Sequence, residues 1–87
     1  MHTSGLVITL SSDAALAAEA ERALTAAGPF TLGPANGPRR AATLETSDPR
    51  AAHDWHDRAA ALPGVIGVEV VFVHWDEAEE EITHVGA

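Results

Sequence analysis

Residues 28–49 read Gly28-Pro29-Phe30-Thr31-Leu32-Gly33-Pro34-Ala35-Asn36-Gly37-Pro38-Arg39-Arg40-Ala41-Ala42-Thr43-Leu44-Glu45-Thr46-Ser47-Asp48-Pro49. Gly28-Pro29 is a helix stop, glycine for the left-handed cap and proline as the breaker after it. Residues 30–33 form a short strand. Pro34 to Pro38 is a turn, because Asn-Gly tolerates the positive φ angles that tight hairpins need. Residues 39–46 return as a second strand, with Ala42 and Leu44 on one face and Ala41, Thr43 and Glu45 on the other. Ser47-Asp48-Pro49 then opens a helix, with a capping side chain and a proline in the first turn. The stretch is therefore a hairpin with a helix on either side, and the flanking sequence completes the fold.

Upstream, residues 3–10 alternate as a strand, Leu6, Ile8 and Leu10 against Val7 and Thr9. Ser11-Ser12-Asp13 supplies an N-cap, after which the spacing becomes helical, with Leu16, Ala20, Ala23, Leu24 and Ala27 on one side. Downstream, the second helix buries Ala52, Trp55, Ala59 and Leu62. Leu62-Pro63-Gly64 turns the chain into residues 65–75, the longest and most β-branched strand. Strict alternation there directs Ile66, Val68, Val70 and Phe72 to the helices and Glu69, Val71, Val73 and Trp75 to the other face. The order β-α-β, β-α-β predicts an α+β fold, the ferredoxin-like plait: a four-stranded antiparallel sheet with both helices on one face. One domain spans residues 1–76, and residues 77–87 form an acidic C-terminal tail without an apolar face, expected to be frayed or disordered.

At 87 residues, a chain buries only roughly 60–65% of its unfolded surface. Alanine inflates its 46% hydrophobic share. The residues able to build a core are Leu6, Ile8, Leu10, Leu16, Leu24, Phe30, Leu32, Leu44, Trp55, Leu62, Ile66, Val68, Val70 and Phe72, enough for one two-layer sandwich without a large internal active-site cavity. The absence of cysteine removes disulfides, thiolate metal sites and a cysteine nucleophile. Met1 to Gly5 lacks the basic residues of a signal peptide, and the apolar run from Leu6 to Leu10 is too short to cross a membrane, so a cytoplasmic protein without membrane insertion is expected. Formal net charge is −8, with five arginines and no lysine. Such a surface repels nucleic acid and favours a cationic partner, unless the acidity serves solubility alone.

With both helices on one side, the opposite face of the sheet is uncovered. Val7, Thr9, Thr43, Glu45, Glu69, Val71, Val73 and Trp75 are the candidate partner-binding residues: an apolar strip with two carboxylates set into it. A cationic amphipathic helix would bury its apolar side on the valines and offer arginines to Glu45 or Glu69. The same strip would also serve a face-to-face homodimer of a self-associating regulatory or structural domain, and the chain is expected as a monomer or weak homodimer.

The ordered combination of short motifs resembles the NapD family, small cytoplasmic chaperones of periplasmic nitrate reductase. Ser4-Gly5-Leu6-Val7-Ile8 resembles the family's opening Ser-x-Leu-Val-Val strand, and Thr43-Leu44-Glu45 its Thr-Leu-Glu. Leu62-Pro63-Gly64-Val65, with Val68, Val71 and Phe72, resembles its Leu-Pro-Gly-Val and closing strand. The acidic run after His74 resembles its C-terminus. The resemblance covers residues 4–81. It implies a non-catalytic protein, with no cofactor of its own, that binds the twin-arginine signal peptide of a nitrate reductase precursor in helical form and delays export until the molybdenum cofactor is inserted. Three departures stand out. Phe72 replaces the usual tyrosine. Val73 stands where a histidine is common, with His74 one place later. Ala26-Ala27-Gly28-Pro29-Phe30 replaces the first Leu-Pro-Gly-Val.

Other motifs carry less. His53 and Asp57 share a helix face at i, i+4, but zinc needs further ligands, and His2, His74 and His84 are not obviously near. Arg39-Arg40 opens a strand with no apolar run of signal-peptide length after it, so it is no export signal. No nucleophile has a base at a recognisable spacing and no glycine-rich loop cradles a phosphate. Acylphosphatases share the plait but place an anion-binding arginine after the first strand, where this chain has Ser11-Ser12-Asp13.

Overall fold

Two aspartates start the two helices. Asp13 accepts from the amides of Ala15 (2.9 Å) and Leu16 (3.3 Å), and Asp48 accepts from that of Ala51 (2.8 Å). Each satisfies donors that the first helical turn leaves without partners. Helix α1 (Ala14–Ala27) ends on Gly28, and α2 (Pro49–Ala60) begins on a proline whose missing amide costs no helical bond. The computed structural model describes residues 2–75, so the acidic tail (77–87) and His84 lie outside the described residues.

Four strands complete the chain: β1 (His2–Leu10), β2 (Phe30–Asn36), β3 (Arg39–Thr46) and β4 (Val65–Trp75). All neighbours are antiparallel, in the order β2-β3-β1-β4. With both helices packed into one core, this is the expected ferredoxin-like plait. The first helical crossover leaves room for β3 between β1 and β2, and the second sends β4 to the other side of β1. Gly64, at φ 95°, makes the turn into β4, and its carbonyl accepts from the amide of Ser11 (2.8 Å).

The core lies between the sheet and the helices. Leu6, Ile8 and Leu10 of β1, Phe30 of β2, Ala42 and Leu44 of β3, Ala20 and Leu24 of α1, and Ala52 and Ala59 of α2 are buried there. Alanines on the buried faces of the helices let the backbones lie close to the sheet. Trp55 closes the α2 side, edge-on to Phe30 with ring centroids 5.9 Å apart, and Arg58 stacks over its outer surface at 4.8 Å. Arg40 follows the inward parity of its strand. It pairs with Glu21 of α1, and its Nε donates to the Gly33 carbonyl (2.6 Å).

Two expectations are corrected. Strand β2 runs on to Asn36, and only Gly37 (φ 63°) and Pro38 form the turn. Gly33 and Pro34 together face Ala41, a bulge that absorbs the proline on an edge strand, where its missing amide is tolerated. The alternation of β4 is also broken twice. Its pairing with β1 skips Ile66 and then Val71. Ile66 is therefore 69% exposed and Phe72 leaves the helix side altogether; on α1, Leu16, expected in the core, is 38% exposed.

Candidate peptide-binding face

The uncovered face can be laid out from the register as four rows across the strands, in the order β3, β1, β4. The first row is Glu45, Thr3 and His74, and the second is Thr43, Gly5 and Phe72, with Thr31 of β2 beside Thr43. The third is Ala41, Val7 and Glu69, and the fourth is Arg39, Thr9 and Gly67. Val71, the bulged residue, lies with Phe72 on the same side. A β-bulge places two consecutive residues opposite one partner, which is why parity changes after it.

The middle rows form a shallow apolar groove of about 350 Å³. Its floor is Val7, Ala41 and Thr43, all small or short, with Gly5 buried beneath the Phe72 ring. Val71 and Phe72 form one wall, and Thr31 and Pro34 the other. The Phe72 ring leans over Gly5, so a methyl group at Gly5 would stand 2.7 Å from Cζ of that ring. A glycine beneath a cross-strand aromatic gives the ring a flat seat. The walls stand three strand spacings apart, about 14 Å. An α-helix with its side chains is about 10–12 Å across. That spacing separates strand backbones, and the Phe72 ring takes up part of it over Gly5, so the groove has room for one face of a helix rather than its full width.

The two ends of the groove differ in charge. At one end Arg39 reaches across β1 to Glu69 (3.8 Å), both side chains largely exposed. At the other, among the described residues, no ion pair engages Glu45. Glu45 and Glu69 are two rows and two strands apart, about 16 Å by strand dimensions. They are separate ends, and no single carboxylate pocket forms between them.

Six of the eight sequence-derived residues share this face: Val7, Thr9, Thr43, Glu45, Glu69 and Val71. Val73 does not. It registers with the buried Ser4 and lines a recess on the helix side. Trp75 registers with His2 at a position of the same parity as Val73. The bulge at Val71 is the physical cause of the correction at Val73. In exchange it brings Phe72 and His74 to the uncovered face, and neither these two nor Gly5 and Arg39 were among the expected residues. The sequence did hold a signal: Val70-Val71-Phe72-Val73 is an unbroken apolar run that a half-exposed strand accommodates only by a bulge or a change of face.

The helix-side recess, about 360 Å³, lies between α2 and the ends of β1 and β4. His53, His56 and Asp57 stand on its rim. Asp57 lies 3.5 Å from His53 and 3.8 Å from His56. Among the described residues no three histidine or carboxylate side chains converge as a metal site. No described helix is long and apolar enough to cross a membrane.

Comparison with protein-family models, with curated proteins and with solved structures gives no match for this chain.

Proposed function

We propose that this protein is a cytoplasmic signal-peptide-binding chaperone of the NapD type. It takes the twin-arginine signal peptide of a nitrate reductase, or of a related exported molybdoenzyme, as a helix on its uncovered sheet face. The observation that carries this reading is the groove itself: apolar along its floor and walls, on the uncovered face, with Glu45 one row beyond it and engaged by no described cation. A signal peptide of this kind offers the complementary surface, adjacent arginines followed by an apolar run. Apolar contact along the groove supplies affinity, and a charge-assisted hydrogen bond to Glu45 supplies selectivity. Nothing in the reading requires catalysis. The peptide is held and hidden.

The Ser4-to-Ile8, Thr43-to-Glu45 and Leu62-to-Val65 motifs that resemble the NapD family support the same reading. Two of its departures matter less on this backbone than on a regular strand. The bulge puts His74 on the uncovered face, and Phe72 becomes a groove wall where a hydroxyl is dispensable.

Calorimetric titration with a synthetic twin-arginine signal peptide tests the proposal, run beside a Lys-Lys version and a Glu45→Ala protein. The expected result is 1:1 binding that weakens with either change, by a protein that is a monomer at micromolar concentration. A protein that binds no peptide and elutes as a stable dimer would assign the face to self-association instead.

A further inference from the structure

We infer that the groove has a fixed polarity, with Arg39 as the residue that sets it, an inference that rests on the peptide-binding reading above. The face has two carboxylates, and each would attract an arginine. Glu69 is already engaged by Arg39 from β3, whose guanidinium lies on the same face and closes the groove beside Thr9. A second cation arriving there meets a like charge and must displace an existing partner. Glu45 stands at the opposite end, in the row of Thr3 and His74, where no described cation engages it. An apolar floor with one carboxylate that no described cation engages and one already paired favours one direction for a cationic amphipathic helix.

The peptide's arginines therefore sit over Glu45. The apolar run that follows them crosses Gly5, Val7 and Ala41 toward Arg39. Arg39 acts by exclusion. It penalises peptides that carry positive charge at the far end of the apolar run, and so separates a segment with an N-terminal arginine pair from one with the pair at its C-terminus. Its neighbour Arg40 takes no part, because it faces the helices and is tied to Glu21 and the Gly33 carbonyl.

The test uses two synthetic peptides of one composition, with the arginine pair before or after the apolar run, each carrying a nitroxide at its N-terminus. In amide spectra of the full-length protein, the first peptide should broaden Thr3, Glu45 and His74 and leave Thr9 and Gly67 sharp. It should bind about tenfold more tightly than the second, the weight of one charge-assisted contact. Arg39→Gln should narrow that preference by strengthening the second peptide, and Glu45→Gln should weaken the first. Arg39 and Glu45 are both exposed, so neither change removes core packing. Broadening at Thr9 and Gly67 by the first peptide, or equal affinities that Arg39→Gln leaves equal, would overturn the polarity while leaving the groove reading intact. Failure of both peptides to bind would overturn the groove reading and the polarity together.

Discussion

Phe72→Ala measures whether the Val71 bulge exists in solution. In a regularly alternating strand, Phe72 points at the helices, and truncating a core phenylalanine costs about 3–5 kcal/mol. In the structure the ring lies on the uncovered face over Gly5 and is 51% exposed. Burying a phenylalanine fully is worth about 1.5–3 kcal/mol, so a ring roughly half covered contributes about 1 kcal/mol. No enclosed cavity is left behind, so the further penalty of an empty core site does not apply. For a domain of this size 1 kcal/mol lowers Tm by about 4–8 °C. Leu44, 1% exposed and central in the core, provides the contrast, because Leu44→Ala should cost about 2–5 kcal/mol. Urea unfolding followed by far-ultraviolet circular dichroism, at constant slope, gives both numbers. A loss of 3 kcal/mol or more from Phe72→Ala would place the ring in the core and refute the bulge, the row assignments and the groove wall together.

Further expectations follow from the turns and caps. Gly64→Ala should be clearly more destabilising than Gly28→Ala in thermal melts. Both glycines have positive φ, 95° and 100°, but a methyl at Gly64 meets the Leu16 backbone, 2.8 Å from its carbonyl carbon, and one at Gly28 meets nothing. Asp48→Ala should lose about 1 kcal/mol, the usual weight of an N-cap, and Asp48→Asn should recover most of it. Glu21→Gln should destabilise by about 1 kcal/mol or less, because its pair with Arg40 is partly exposed, and the loss should shrink in high salt.

Much of the fold was legible because its punctuation is local. Asp13, Gly28, Asp48 and Gly64 each act within a turn of their own position, so cap and stop residues placed both helices within the chain. Alternation in β1 and β3 was also reliable, since the two pair with each other in unbroken register and share a buried face. It failed in β4, where register depends on what lies opposite. Val71 is skipped next to Gly5, the residue over which Phe72 is seated, and nothing within residues 65–75 fixes that seat. The site inherited the same division. Val7, Thr43, Glu45 and Glu69 were found because they lie before the second bulge or in regular register with β1, whereas Val73, after the bulge, was assigned a face opposite to the one its register gives. The Arg39–Glu69 contact spans two strands of different ancestry in the chain, so only the assembled sheet reveals it.

On the proposed reading, the uncovered sheet face, and no other surface, receives the peptide. Amide mapping of the isotope-labelled protein during titration with a twin-arginine signal peptide tests this most directly. Shifts should concentrate at Gly5, Val7, Ala41, Thr43, Val71 and Phe72, with His53, His56 and Asp57 on the helix-side recess unmoved. Saturable binding whose shifts fall on α2 and that recess instead would contradict it.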